Sequence, residues 1–148
     1  MANTFSAQVG DWVKESKARL LAVAQQSSQA VVNDAQTESG KGGNMPVNTG
    51  FLRASLVGQL NQSVNAVTFN TGKAKASYAG ESVTLAIANM DIGDTFHAGW
   101  TANYAYYVEY GANGRAGRAF LRTAAARWPE IVADANEPSS VACAIAPS

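Results

Sequence analysis

FSAQVGDWVKESKARLLAVAQQSSQAVVND, residues 5–34, is the stretch that decides the architecture. Apolar or small residues recur at Phe5, Val9, Trp12, Val13, Leu20, Val23, Ala24, Ala30 and Val31. Steps of three, four and seven recur among them, as one face of an α-helix requires. Asn3 or Thr4 can supply the capping oxygen, and Lys14, Lys17 and Arg19 lie off the stripe. Gly10 weakens the first turns by about 1 kcal/mol relative to alanine. Some thirty residues, each rising about 1.5 Å, make a rod of roughly 45 Å. A compact domain of this length has a radius of gyration of about 15 Å. The rod therefore matches or exceeds its own body, and part of its apolar face is expected to find cover elsewhere.

Downstream, residues 37–46 (TESGKGGNMP) carry glycines and a proline without apolar periodicity, which predicts a flexible connection. A short helix is predicted over residues 49–56, capped by Asn48 or Thr49, with Leu52 and Leu56 facing inward. Strands are predicted at 63–69 (SVNAVTF), 83–88 (VTLAIA) and 95–100 (TFHAGW). TGKAKASYAGES, between the first two, reads as an exposed, oversized hairpin loop, and DIGD at 91–94 as a tight turn between the next pair. Asn103 caps a second short helix, YAYYVEY, and Gly111 ends it in the position where a left-handed cap is common. GANGRAG is a loop. The last helix starts near Arg118 and runs through Pro129 with a kink, its stripe being Phe120, Leu121, Ala124, Ala125, Trp128, Ile131, Val132 and Ala135. These elements predict a single α+β domain over residues 1–136, with long N-terminal and C-terminal helices on a small antiparallel sheet with an extended hairpin. Residues 137–148 are expected to form a loosely ordered tail.

The composition narrows the function. The chain has 148 residues, 47% of them hydrophobic and 15% charged, and its eleven basic and eleven acidic residues cancel. Globular proteins average about 25% charged residues. Such a surface is easier to explain if partners cover it, and the strong positive charge typical of nucleic-acid binders is absent. One cysteine, Cys143, excludes an internal disulfide, and one histidine, His97, excludes a His-rich metal site. The N-terminal residues show no apolar signal-peptide core, and no run of eighteen apolar residues suggests a membrane span. Synthesis and folding in a cytoplasm are expected.

Catalytic constellations are sparse. His97 with Asp94 and a serine is conceivable, but the nucleophile elbow G-x-S-x-G is missing. Asp91 and Asp94 are explained by the turn they sit in. GANGRAG lacks the lysine and hydroxyl of a phosphate loop and follows a helix rather than a strand. Cys143 has no neighbouring base. No enzymatic activity and no cofactor are expected. Arg115, Arg118, Arg122 and Arg127 form an acid-free cluster, readable as a solvated helix face or as a docking patch for an acidic surface or DNA phosphates. Glu109, alone in an apolar helix, needs a basic partner, and Arg122 or Arg118, in the acid-free run that follows, is the expected one. Tyr104, Tyr106, Tyr107 and Tyr110 cannot share one helix face, so some must point outward, as contact residues do at interfaces.

Three segments carry a resemblance. VNTGFLRASL (47–56) resembles V-D-T-G-x-L-x-x-S, ANYAYYVEYG (102–111) resembles Y-A-x-x-V-E-[FY]-G, and GRAFLRTAAARW (117–128) resembles P-F-[LM]-R-P-A followed by a helix. In this order they are similar to the neck, or tail-completion, proteins of long-tailed bacteriophages, also described as minor tail or head–tail joining proteins. Thr49, Gly50, Leu52, Glu109, Gly111, Phe120 and Arg122 are the motif positions. Asn48 stands in place of the usual acid, and Ala119 and Thr123 replace two prolines. The resemblance implies an α+β, non-enzymatic virion subunit. It would form a homo-oligomeric ring, expected to be a hexamer, between connector and tail-tube proteins, with DNA passing through without sequence recognition. The alternative is a small nucleic-acid-binding module using the arginine patch. For the ring, Trp12, Tyr104, Tyr106, Tyr107, Tyr110, Arg115 and Arg118 are the expected contact residues. One patch would combine residues 5–20 with the tyrosine helix, and the other would be the sheet edge with the hairpin around 71–82.

Overall fold

The structure, a computed structural model, describes residues 4–69 and 75–137. The expected 137–148 tail, including Cys143, lies outside them apart from Glu137, as does part of the 71–82 loop. Helix α1 spans Phe5–Ala35, 31 residues. Its N-cap is Thr4, whose hydroxyl accepts from the Ala7 amide at 3.3 Å and satisfies one of the donors that a helix start leaves free.

The 37–46 segment is folded rather than slack. A 3₁₀ turn at Ser39–Lys41 is closed by Ser39 N–H to the Met45 carbonyl and Met45 N–H to the Thr37 carbonyl, 2.9 and 3.1 Å. Met45 is fully buried, and Glu38 pairs with Arg53 at 2.7 Å. One buried thioether and one ion pair thus give this glycine-rich stretch the anchors its periodicity did not reveal.

Helix α2 is only Phe51–Ala54, and Leu56 opens strand β1, Leu56–Leu60. The predicted helix over 49–56 is therefore shorter than expected, although Leu52 and Leu56 are both buried. Strand β1 pairs antiparallel with β2, Phe96–Trp100, with Leu56 opposite Trp100 and Leu60 opposite Phe96. That non-local pairing overrides a local helical pattern, as tertiary context commonly does.

The predicted hairpin does not form. Residues 63–69 contribute only a single bridge, Thr68 to Ala102, and residues 83–88 belong to helix α3, Glu81–Ala88. The reason is periodicity. Val83, Ala86, Ile87 and Met90 are buried, at i, i+3, i+4 and i+7, whereas Leu85 stands exposed. The alternation Val83-Leu85-Ile87 was a competing reading of the same β-branched run, and burial between α1 and β1 selects the helical one. DIGD consequently turns from a helix into a strand. Asp94 accepts from the Asp91 amide at 2.8 Å and from Asn61 Nδ2 at 2.9 Å.

Helix α4, Ala105–Tyr110, starts after Tyr104, not with an Asn103 cap. GANGRAG is a miniature hairpin, β3 Gly111–Ala112 and β4 Arg115–Ala116. Asn113 and Gly114 both have positive φ at its tip, as a primed two-residue turn demands. The C-terminal helix is two helices, α5 Phe120–Ala126 and α6 Trp128–Ala135, separated at Arg127. Pro129 lacks the N–H that would continue α5, and it fits the first turn of α6. The break replaces the expected kink.

The fold is α+β: six α-helices and two small antiparallel sheets among the described residues. One core cluster joins Val32 of α1, Leu56 of β1 and Val83, Ile87 and Met90 around α3. A second joins Met45, Leu52, Ala102 and Phe120. Trp100 packs against both, meeting Phe120 edge-on at 5.0 Å. Helix α1 is gripped between α3 on one side and α5 and α6 on the other.

Candidate assembly interface

The three motif segments, far apart in sequence, meet in the second core cluster. Leu52, Ala102 and Phe120 are buried together, with Tyr104 and Val108 packed against them. Tyr104 lies 6.1 Å from the Phe51 ring. Burial raises its phenol above the ordinary value, against a backbone hydrogen bond from Leu52 that lowers it. Thr49 and Gly50 form the entry to α2. Gly50 has φ +79°, and a Cβ there would drive into the Ala76 carbonyl. The Ala76 amide donates to the Thr49 carbonyl at 2.9 Å, so the T-G pair seats the incoming 75–78 segment.

Glu109 explains how α5 begins. The cap position is Ala119, held at φ 50°, ψ 37° and unable to accept a hydrogen bond from its side chain. Glu109, 5% exposed, fills that role from a neighbouring helix. Its carboxylate accepts from the Leu121 and Arg122 amides, each at 3.0 Å, and from Arg122 Nε at 2.9 Å. Arg122 also donates to the Glu109 carbonyl at 3.0 Å and covers the Tyr110 ring at 4.6 Å. An anion at the positive end of a helix, with an arginine clamped on it, is satisfied on both counts. Gly111, at φ +90°, lets the hairpin fold back; a Cβ would sit 2.5 Å from the Arg115 carbonyl oxygen. The Glu109–Arg122 pair, derived from sequence, is therefore present, and Arg122 rather than Arg118 is the partner.

The remaining arginines divide. Arg127 pairs with Asp34 at 2.6 Å and approaches Glu130 at 3.6 Å. Arg115 and Arg118 are exposed and have no carboxylate within 4 Å among the described residues. They border an open groove of about 960 Å³, whose walls include Tyr104, Tyr107, Val108 and Pro46. Tyr106, Tyr107 and Tyr110 are exposed and clustered, with ring centroids 4.8 Å apart for Tyr106–Tyr110 and 5.9 Å for Tyr106–Tyr107.

Trp12 lies elsewhere. Every buried residue of α1 falls at Ala22 or later, and Arg19 makes a contact with Asn136 just beyond α6. Residues 5–20 project as an arm, with Phe5 81%, Trp12 67% and Leu20 61% exposed. The groove is at the other end of α1, because Pro46 follows Met45, which is bonded to Thr37. Trp12 and Thr37 are about 37 Å apart along the axis. The expected patch combining residues 5–20 with the tyrosine helix is thus split in two, and the expected patch on the 71–82 hairpin loses its basis because α3 replaces the second strand. Pro46, a wall of the groove, was missed in the sequence because it reads as a loop breaker. Asp11 and Glu15 on the arm were passed over too; their four-residue spacing beside Trp12 was the available signal.

Chemical groups elsewhere are occupied or isolated. His97 lies on β2 opposite Gln59, and the Asp94 carboxylate is engaged by Asn61 and Asp91. Among the described residues no group of three or more His, Cys, Asp or Glu is placed to hold a metal ion, and no helix is long and apolar enough to cross a membrane. Comparisons with protein-family models, with curated proteins and with solved structures found no match to the chain.

Proposed function

We propose that this chain is a non-enzymatic structural subunit of a bacteriophage virion, a neck or tail-completion protein that forms a ring at the head–tail junction through which DNA passes. The observation that carries the reading is the projecting half of α1. A helix that leaves Phe5, Val9, Trp12 and Leu20 in water bears more contiguous apolar surface than a solitary domain needs. Neighbouring subunits would cover it. The three family-like motifs support the same reading, because their residues build a core and cap a helix rather than converge on a reactive centre. Symmetric tails and the family resemblance suggest six copies, flanked by connector and tail-tube proteins.

The nucleic-acid module has less support. Arg122 and Arg127 are held in internal ion pairs, so the four-arginine patch reduces to Arg115 and Arg118. Binding through phosphates would then be weak and steeply salt-dependent. The test of the ring reading is a reconstruction of the assembled particle. Closed-ring density for this chain between capsid and tail is the expected result; its absence from the neck, or isolated copies there without mutual contacts, sinks the proposal.

A further inference from the structure

The arm and the groove lie at opposite ends of the molecule, and their chemistry is complementary. With successive residues about 100° apart around a helix, Phe5, Val9, Trp12, Ser16 and Leu20 form one stripe. Asp11 and Glu15 fall together along its Trp12 flank, Arg19 follows them on that flank but reaches back to Asn136 at the root of the arm, and Lys14 and Lys17 fall on the far side. Among the arm's apolar side chains Trp12 is the largest, and it is 67% exposed. The groove offers the reciprocal features. Tyr104, Tyr107, Val108 and Pro46 give it an aromatic and aliphatic wall, its volume of about 960 Å³ exceeds an indole, and Arg115 and Arg118 stand on it without acidic partners among the described residues. Tryptophan, tyrosine and arginine are the residue types that dominate binding energy at interfaces.

We infer that the N-terminal arm of one copy seats in the groove of the next copy. Trp12 is the anchor between the tyrosines, and Asp11 and Glu15 face Arg115 and Arg118. This inference rests on the ring reading and assigns its two mating faces. The arm cannot fill its own groove, which lies roughly 37 Å away along a straight helix. An arm that enters this groove is therefore another molecule's. The contact is heterologous: each copy that receives an arm still offers its own, so the arrangement propagates and closes into a ring when the rotation allows.

Two full-length variants test it, Trp12→Glu and Arg118→Glu, both at exposed positions and both checked for native circular dichroism. Self-association is followed by sedimentation velocity over a concentration series. The wild type is expected to assemble, and each variant alone to lose association by roughly 30-fold or more, the scale of a hot-spot residue. The two variants mixed in equal amounts are expected to form a dimer and nothing larger, because one contributes an intact arm, the other an intact groove, and the dimer has no intact face left. Failure of the mixture to dimerise overturns the pairing. Wild-type rings that both variants leave intact overturn it too, while leaving the ring reading standing. A wild type that stays monomeric, as it would if another protein or its own C-terminal residues covered the arm, also overturns the pairing; the particle reconstruction then decides the ring reading separately.

Discussion

Residues 21–35 and residues 5–20 belong to one unbroken helix and live in different solvents. In the first, Ala22, Ser27, Ser28, Val32 and Ala35 are buried among α3, α5 and α6. Gln25 reaches across to the Ile87 carbonyl at 3.0 Å, and Asp34 holds Arg127. In the second, among the described residues, the one side-chain hydrogen-bonding partner in the body is Asn136, which Arg19 reaches at 3.4 Å. Both halves carry apolar residues at helical spacing, so periodicity alone does not separate them. The body supplies the costly nucleus of the helix, and the arm extends it one residue at a time, where propagation is nearly neutral. Stability is thus concentrated in the body, and the arm contributes surface.

This contrast predicts unequal responses to substitution. The largest belongs to the motif core: Phe120→Ala removes a buried ring stacked edge-on against Trp100 and should cost about 3–5 kcal/mol in a denaturant titration. A variant with an unchanged midpoint would show that the body does not depend on this cluster. Glu109→Ala comes next, because it strips two α5 amides and Arg122 of their acceptor. With Arg122 about half exposed and water able to rescue it, the expected loss is about 1–3 kcal/mol, with amide exchange rising first at Leu121 and Arg122.

In the arm, effects should be small and local. Gly10 faces open space, where an added Cβ meets nothing within 4 Å, so Gly10→Ala should firm the arm by about 1 kcal/mol. Slower hydrogen exchange in residues 5–20 with an unchanged global midpoint is the expected pattern; a shifted midpoint would mean the arm shares the body's cooperative unit. Trp12→Ala should alter monomer stability by no more than about 0.5 kcal/mol. The smallest effect concerns Asp94. Asn61 and the Asp91 amide hold its carboxyl below the usual carboxylate range. Whatever stability it adds is present above its unfolded value and fades as pH falls through the lower folded value. In an NMR titration, Asn61→Ala should return it upward.

Much of this layout was legible in the sequence, and the failures share a cause. The bounds of α1 follow from its stripe, and the Glu109–Arg122 pair follows from a lone acid near an arginine run. Leu52 and Leu56 as core residues follow from their spacing within a helix, even though Leu56 sits in a strand. What local pattern could not deliver was choice between two periods in one short run. VTLAIA satisfies alternation and helical spacing equally, and only the packing of α1 and β1 on Val83 and Ile87 decides. The end-to-end placement of arm and groove was likewise invisible, because it depends on where residues 37–46 bring the chain back beside α1. The Asn-Gly tip of GANGRAG was a readable hairpin signal hidden by the glycines around it.

A straight rod rooted at one end behaves as a lever. From Leu20 to Phe5 the arm is about 22 Å long, so a rigid tilt of about 5° at its root carries the tip through roughly 2 Å. Whatever grips that tip therefore experiences small rotations of the body as sliding. Molecules joined through such arms can absorb a misfit in spacing by tilting, with every hydrogen bond of the helix intact and no segment refolded.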